Sequence, residues 1–230
     1  MKNFTDGIQA VIFDFDGTLY NPNGFKKRLV LSTLWSMPLV LADRKFRRLN
    51  KGRDFGSEEK FHNEYYSFIA SHSFVSKKTA ALWKSRVYMA AMSKILRKKY
   101  SAQKDVQKLF DYLRDKKIPV AVFSDYNCVR ERMKDIGLEN LSGVSIYDSE
   151  TFGALKPCSR GFLKISMDMG VEPSSILVVG DRNDTDGEGA RKTGMKFVQV
   201  KTRKNQMMPE GFDHTFVAWN DFLEVALKGF

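Results

Sequence analysis

The chain has 230 residues, 43% of them hydrophobic, with three histidines, two cysteines and a formal net charge of +11 at pH 7. This length supports one substantial core, or one core with a smaller appended domain. We expect no signal peptide and no membrane span, because the longest apolar run, 29–42, is short and interrupted by Pro38. The two cysteines lack metal-ligand spacing, which favours reduced thiols and a cytoplasmic location.

The first predicted element is a buried strand over residues 10–13, where four apolar residues follow one another. Asp14 and Asp16 come next and are two positions apart, so in an extended chain their side chains point the same way. Two carboxylates held together repel each other unless a cation or a shared proton relieves the repulsion. Gly17 allows a sharp turn directly after them.

Residues 25–99 show helical periodicity and almost no internal glycine. The predicted helices cover residues 25–37, 39–49, 57–71, 76–86 and 87–99. Ser57 is in a position to cap the third of these, and Pro38 should separate the first two. The segment 21–100 is therefore predicted to be an all-helical insertion.

From residue 102 onward, predicted strands alternate with predicted helices. The strands cover 119–123, 144–147, 176–179 and 196–200, with a short edge strand at 215–217. The helices cover 104–116, 129–136, 160–169, 186–194 and 220–228. This alternation predicts an α/β fold with a Rossmann-like parallel sheet as its core and the all-helical segment as an insertion.

Polar residues follow three of the predicted strands. They are Asp14 and Asp16 after the first strand, Ser124 and Asp125 after the second, and Asp181, Asp184 and Asp186 after the 176–179 strand. The carboxyl ends of parallel strands meet at one edge of a sheet, so these carboxylates should share a cleft. Oxygen ligands of this kind suit Mg²⁺, while the Lys156 ammonium and the Ser124 hydroxyl suit a bound phosphate.

In this order, the residues resemble the four motifs of the haloacid dehalogenase superfamily. The motif residues are Asp14-Phe15-Asp16-Gly17-Thr18, then Ser124, then Lys156-Pro157, then Gly180-Asp181-Arg182-Asn183-Asp184-Thr185-Asp186. The resemblance covers the whole chain and is to the phosphoglycolate-phosphatase-like branch, whose helical cap is inserted after the first motif. It implies a catalytic core of residues 1–20 and 101–230 and a helical cap domain of residues 21–100.

The resemblance also implies a role for each motif residue. Asp14 resembles the nucleophile that forms an aspartyl-phosphate, and Asp16 resembles the general acid and base. Ser124 and Lys156 resemble the residues that bind the substrate phosphate. The implied Mg²⁺ ligands are Asp14, Asp16 through its backbone carbonyl, Asp181 and Asp186. The sequence leaves open whether Asp184 or Asp186 supports the metal.

These roles predict a Mg²⁺-dependent phosphatase that hydrolyses a small phosphorylated metabolite through an aspartyl-phosphate intermediate. A phosphomutase of the same fold is an alternative, as is a regulatory or nucleic-acid-binding module that uses a basic cap. A dehalogenase is disfavoured, because that chemistry uses the first carboxylate without a metal and would leave the acidic fourth motif superfluous. We predict no obligate protein partner.

Positive charge is concentrated in the predicted cap. Residues 21–100 contain 18 Lys and Arg against 5 Asp and Glu, whereas the rest of the chain contains 20 against 22. We hypothesise that part of this charge attracts the anionic substrate. The candidate residues are Lys26, Lys27 and Arg28, or Arg44, Lys45, Arg47 and Arg48. Contact with a membrane surface, beside the apolar run 29–42, and simple solvated helix faces are the alternatives.

Overall fold

The computed structural model describes residues 4–201 and 217–230. Six parallel strands form one sheet in the order β3-β2-β1-β4-β5-β6. The strands are β1 (Ala10–Asp14), β2 (Val120–Ser124), β3 (Val144–Asp148), β4 (Ile176–Gly180), β5 (Lys196–Lys201) and β6 (Val217–Ala218). The predicted α/β fold with a Rossmann-like parallel sheet is confirmed. Of the predicted edge strand at 215–217, residues 215 and 216 lie outside the described residues.

The central strands are parallel because a helical crossover returns the chain to the same edge of the sheet each time. All five residues of β1, β2 and β4 are buried, which explains why these strands are nearly continuous apolar runs in the sequence. In the register of the sheet, Asp14 pairs with Phe123 of β2, and Phe13 pairs with Val179 of β4. The ends of β1, β2 and β4 therefore lie side by side.

Helices pack on both faces of the sheet, and their bounds follow the sequence expectations closely. They are α6 (Val106–Asp115), α7 (Val129–Asp135), α8 (Ser149–Phe152), α9 (Ser159–Met169), α10 (Glu188–Thr193) and α11 (Trp219–Gly229). The short α8 was not predicted; Asp148 caps it by accepting from the Thr151 amide at 2.8 Å. Before α10, residues Asn183–Gly187 form a π-helical turn.

Between β1 and α6 the regular structure of the chain is helical. The helices are α1 (Phe25–Ser32), α2 (Met37–Leu49), α3 (Glu58–Ser73), α4 (Lys77–Trp83) and α5 (Ala90–Lys99), with a π-helical segment at Lys84–Met89 between the last two. Ser57 caps α3, as predicted, by accepting from the Lys60 amide at 3.2 Å. The first break comes earlier than predicted, at 33–36, because Pro38 fits the first turn of α2 and does not need to end a helix.

The helical segment shares its apolar core with the sheet. One continuous cluster of buried side chains includes Phe13 and Leu177 from the strands and Phe46 and Tyr65 from the helices. Residues of α1 and α2 also line a cavity together with Asp16 and Asp181, so these two helices lie over the carboxyl ends of the central strands. The division into a core and a separate cap domain stays a prediction.

A buried group of charges also joins the two parts of the chain, and we call Asp43, Arg47, Lys84 and Glu150 the bridging cluster. Arg47 Nε lies 3.2 Å from Asp43 Oδ1, and Arg47 also pairs with Glu150 of α8. Lys84 Nζ lies 3.6 Å from a carboxylate oxygen of each acidic partner. Burial alone would raise the pKa of the Asp43 and Glu150 carboxyls, but Lys84 and Arg47 lower both pKa values overall.

Large apolar side chains are exposed where α1 leads into α2, namely Leu31, Leu34 and Trp35. The membrane contact considered from the sequence would fall on this surface, and it stays a prediction. Within the described parts of the chain, none of the helices combines the length and the apolar character that crossing a bilayer requires.

Candidate active site

Three neighbouring strands deliver polar side chains to one edge of the sheet. Asp14 is the last residue of β1, Ser124 is the last residue of β2, and Asp181 directly follows β4. All three residues are buried. The parallel register therefore brings together side chains that are far apart in the sequence, as expected for the carboxyl edge of such a sheet.

Lys156, in the loop before α9, is the cation at the centre of this site. Its ammonium donates to Asp14 Oδ1 at 2.9 Å, to Asp186 Oδ1 at 2.7 Å and to the Phe123 carbonyl at 2.7 Å. Burial lowers the pKa of Lys156, but Asp14 and Asp186 more than offset this effect and raise it. Lys156 is therefore fixed in its charged form between two carboxylates.

Asp14, Asp181 and Asp186 form a buried group that we call the carboxylate cluster. Each offers an oxygen, and these oxygens all lie within 4.8 Å of one another. Burial raises the pKa of Asp14, the neighbouring Asp186 raises it further, and Lys156 opposes both effects. Burial likewise raises the pKa of Asp186 against the influence of Lys156. One ammonium is thus set against three carboxylates, which leaves the site short of positive charge.

The carboxylate cluster fits a hard divalent cation such as Mg²⁺, because it offers only oxygen donors and an excess of negative charge. Gly17 adds to this fit: it has φ +99°, and a Cβ at this position would collide with the Asp181 carboxylate. The glycine of the first motif thus allows the chain that leaves β1 to pass against Asp181. Asp14, Asp181 and Asp186 could hold the ion, and the contact predicted through the Asp16 carbonyl stays a prediction.

The Asp16 side chain turns away from the carboxylate cluster toward an arginine. Arg132 Nη1 donates to both Asp16 oxygens, at 3.0 and 2.8 Å. Ser124 Oγ donates to Oδ2 at 3.0 Å, and the Tyr20 hydroxyl donates to Oδ1 at 2.9 Å. The Asp16 side chain is still 27% exposed, so it is held in place and remains accessible from the cavity.

Arg132 is a site residue that the sequence reasoning missed. It is fully buried and also donates to Ser124 Oγ at 2.8 Å and to the Tyr126 carbonyl at 2.6 Å. Burial lowers its pKa, but Asp16 raises it by a larger amount. A signal did exist: Arg132 lies on the buried face of α7 with Val129 and Met133, where a charged residue needs a partner.

Ser124 lies beside Asp16 and accepts from Arg132 and from the Tyr126 amide, so its predicted phosphate contact stays a prediction. Asp125 accepts from Ser149 Oγ at 2.8 Å and from the Lys156 amide at 3.2 Å, which fixes the loop that carries Lys156. Asp125 therefore anchors the loop that carries Lys156.

The structure separates Asp184 from Asp186, the two candidates for supporting the metal. Asp184 is half exposed and pairs with Arg182, at 2.7 Å, and with Lys51. Burial raises the pKa of Asp184, but Arg182 and Lys51 outweigh this and lower it to about 2. The structure brings Asp186, and not Asp184, into the carboxylate cluster.

A cavity of about 780 Å³ opens at this edge of the sheet. Asp16, Lys156 and Asp181 line one side. Basic residues of α1, of α2 and of the turn after α2 line the other side, namely Lys26, Lys27, Arg44, Arg47, Arg48 and Lys51. Of the cations singled out in the sequence, Arg28 and Lys45 are not among the described lining residues.

Solved structures with this fold cover nearly the whole chain. A predicted phosphoglycolate phosphatase from Haemophilus somnus 129PT matches at 17% identity and a TM-score of 0.62, over 95% of this chain and 98% of that one. A 2-haloacid dehalogenase from Pseudomonas syringae pv. tomato DC3000 matches at 18% and 0.61, over 96% and 99%. A putative β-phosphoglucomutase from Thermotoga maritima matches at 16% and 0.60, over 96% and 99%. At these identities the likeness shows a shared fold.

Sequence comparison adds a curated relative and a family. A glyceraldehyde 3-phosphate phosphatase from Methanopyrus kandleri is 38% identical over 60 residues, which is 26% of this chain and only about a quarter, 26%, of that protein. Residues 8–194 match the family model of haloacid dehalogenase-like hydrolases, and this range includes every site residue described above. The chain therefore belongs to the haloacid dehalogenase-like hydrolases.

Proposed function

We propose that this hydrolase is a Mg²⁺-dependent phosphatase that acts on a small phosphorylated metabolite through an aspartyl-phosphate intermediate. The observation that carries the proposal is the buried carboxylate cluster with Lys156 bonded to two of its three members. The curated relative whose name describes a phosphatase acting on a phosphorylated triose, and the solved structure titled as a predicted phosphoglycolate phosphatase, support the same activity.

The contacts of Asp14 support its proposed role as the nucleophile. Lys156 donates to Oδ1 at 2.9 Å and Thr18 Oγ1 donates to Oδ2 at 3.0 Å, so both carboxylate oxygens have a fixed direction. A carboxylate oxygen attacks phosphorus, a new oxygen–phosphorus bond forms, and the bond from phosphorus to the substrate oxygen breaks. The Lys156 charge reduces the repulsion between the attacking carboxylate and the anionic phosphate.

In this proposal Asp16 transfers protons in both halves of the reaction. In the first half it gives a proton to the departing alcohol oxygen. In the second half it takes a proton from the water that attacks phosphorus, which releases phosphate and restores Asp14. Arg132, Tyr20 and Ser124 fix the direction of the Asp16 carboxyl group through the hydrogen bonds described above.

Mg²⁺ held by Asp14, Asp181 and Asp186 would supply positive charge for the phosphoryl oxygens and for the three carboxylates. Solved structures of the same fold include a 2-haloacid dehalogenase and a putative β-phosphoglucomutase. The reactions leave different products: a phosphatase releases inorganic phosphate, whereas a mutase returns the phosphoryl group to the sugar.

The test measures inorganic phosphate released from p-nitrophenyl phosphate and from a panel of phosphorylated metabolites. We expect turnover with Mg²⁺, loss in EDTA and recovery when Mg²⁺ is restored. Asp14→Asn should lose at least about 10³-fold in kcat, because an amide is a poor nucleophile. Asp168→Asn, the same change on the exposed surface of α9, is the control and should keep full activity. Wild-type turnover by Asp14→Asn, or no phosphate release from any substrate, would contradict the proposal.

A further inference from the structure

Four cations form one row on α2 and the turn that follows it. Arg44, Arg47, Arg48 and Lys51 are spaced at i, i+3, i+4 and i+7, so they lie on one face. All four line the cavity that also contains Asp16 and Lys156. The row therefore faces the proposed catalytic residues across the same space.

Two members of the row already have partners in the protein. Arg47 belongs to the bridging cluster, donates to the Asp125 carbonyl at 2.8 Å, and lies 4.0 Å above the Tyr126 ring. Lys51 pairs with Asp184. These contacts fix α2 against the catalytic edge of the sheet, so the positions of the remaining cations relative to Asp14 are set by the fold.

Arg44 and Arg48 are different. Both are exposed on the cavity side of α2, and the structure gives neither of them an ion pair or a hydrogen bond with any described residue. Lys27 of α1 lines the same cavity, and it too is exposed and has no ion pair or hydrogen bond with a described residue. These three like charges line one cavity, and none of them has an ion pair with the described carboxylates that also line it, so an anion beside them would reduce their mutual repulsion.

We propose that the cavity binds a substrate with a second anionic group, a carboxylate or a second phosphate, in addition to the phosphoryl group that is hydrolysed. Arg44 and Arg48 bind the second group, and Lys27 adds to its attraction. This inference rests on the proposed function and names the substrate class for it. The phosphoryl group lies at Asp14 and Lys156, and the second anion lies under α2.

The geometry of the pair suits this task. Residues four apart on a helix are about 6 Å apart along its axis, so Arg44 and Arg48 can approach one anion from two sides. Arginine recognises carboxylate and phosphate through paired N–H donors, which gives a directional contact. The cavity volume of about 780 Å³ is also far more than a single phosphoryl group needs.

The experiment compares α,ω-alkanediol bisphosphates of increasing chain length with alkyl monophosphates of the same length. For at least one length, the wild-type protein should have a kcat/KM for the bisphosphate about 10-fold or more above that for the monophosphate. The double variant Arg44→Gln/Arg48→Gln should lose this preference, because its kcat/KM for the bisphosphate should fall about 10-fold more than its kcat/KM for the monophosphate. Both residues are exposed, so the double variant should fold.

Lys45→Gln is the matched control, because it removes a positive charge from the same helix outside the cavity lining. It should keep the preference. An equal loss in Lys45→Gln would show long-range attraction in place of a binding site and overturn the inference. Absence of any preference at every length, or a preference that survives the double variant, would overturn it as well.

The two proposals can fail separately. If no probe releases phosphate, the proposed function fails, and calorimetric binding of the same bisphosphates then decides the inference. Binding to the wild-type protein that weakens about 10-fold in Arg44→Gln/Arg48→Gln, and not in Lys45→Gln, supports the anion site. Equal binding by all three proteins, or no binding, rejects it.

Discussion

Two buried groups of charges in this protein differ in their balance. The bridging cluster sets Asp43 and Glu150 against Arg47 and Lys84, whereas the carboxylate cluster sets three carboxylates against Lys156. Asp43, Lys84 and Glu150 are buried, as are Lys156 and the three carboxylates, so burial is not what separates the two groups. The pKa values move in opposite directions: those of Asp43 and Glu150 are lowered, and those of Asp14 and Asp186 are raised.

This difference in charge balance indicates which of the two clusters binds a ligand. A buried group with equal numbers of positive and negative charges is neutral overall and needs no ligand. Such a group can hold two parts of a chain together. An unbalanced group lowers stability until a ligand or a proton supplies the missing charge. The bridging cluster is therefore interpreted as structural, and the carboxylate cluster as a cation site whose occupancy should change the stability of the fold.

The largest expected effect comes from removing the Lys156 ammonium, which contacts two members of the carboxylate cluster. Lys156→Met in EDTA should lower the free energy of unfolding by about 3–5 kcal/mol, because Asp14 and Asp186 lose their buried partner. Excess Mg²⁺ should recover part of this loss by binding the folded state. Urea unfolding with and without Mg²⁺ measures both effects, and a loss that Mg²⁺ does not change would break the comparison.

The matched change in the bridging cluster should be smaller. Burial lowers the pKa of Lys84 more than Glu150 and Asp43 raise it, so the charged ammonium is held there at a cost. Lys84→Met should therefore lower the free energy of unfolding by only about 1–3 kcal/mol, since Arg47 still faces both carboxylates. Mg²⁺ should not restore this loss. If Mg²⁺ restored as much unfolding free energy to Lys84→Met as to Lys156→Met, the assignment of only the carboxylate cluster as a cation site would be wrong.

The two clusters should also respond to pH with opposite signs. The lowered pKa values of Asp43 and Glu150 contribute stability that is present above the unfolded value of about 4 and is lost as the pH falls below it. The raised pKa values of Asp14 and Asp186 mean that the folded state keeps protons the unfolded state has released, so without metal they reduce stability as the pH rises above about 4.

Urea unfolding in EDTA from about pH 3 to about pH 8 tests these signs. Relative to wild type, Asp14→Asn should gain about 1 kcal/mol or more in unfolding free energy as the pH rises. The unfolding free energy of Asp43→Asn should be closest to that of wild type at the acidic end of this range. If the unfolding free energies of the two variants changed with pH in the same way, the Asp14 and Asp43 pKa values would not be shifted in opposite directions.

The smallest effect concerns His62, at the exposed side of the bridging cluster. The Glu150 carboxylate, 3.8 Å from His62 Nε2, raises the His62 pKa above the usual 6.5, against a smaller opposing effect of burial. The contact therefore stabilises the fold below about pH 6.5 and loses that effect as the pH rises through the folded-state pKa. Because His62 is partly exposed, His62→Gln should cost less than about 1 kcal/mol at pH 6 and almost nothing at pH 9. A loss of equal size at both pH values would indicate that packing, and not charge, explains it.

The strands were predicted from the sequence to within a residue or two, because parallel strands buried on both faces appear as short apolar runs. The convergence of Asp14, Asp181 and Asp186 followed from the same pattern, since each lies at or after a strand end. An apolar run and the carboxylate that follows it can be recognised without knowing how the rest of the chain folds.

Contacts between distant parts of the chain could not be predicted in this way. Arg47 and Glu150 are 103 residues apart, and nothing local to either residue points to the other. Arg132 was missed for a similar reason, because its partner Asp16 is 116 residues away. The cations on α1 and α2 were recognised as a basic segment, but only the structure separates Arg44 and Arg48 from Lys45 and Arg47.

The position of Arg47 on α2 has a consequence for how such a protein can diverge. The residue that fixes the helix to the sheet lies between Arg44 and Arg48, yet it contacts different partners. Exchanges at positions 44 and 48 therefore need not disturb the orientation of the helix or the residues at the strand ends. Homologues that keep Arg47 and Glu150 but carry other side chains at 44 and 48 are expected to retain the reaction and accept different substrates.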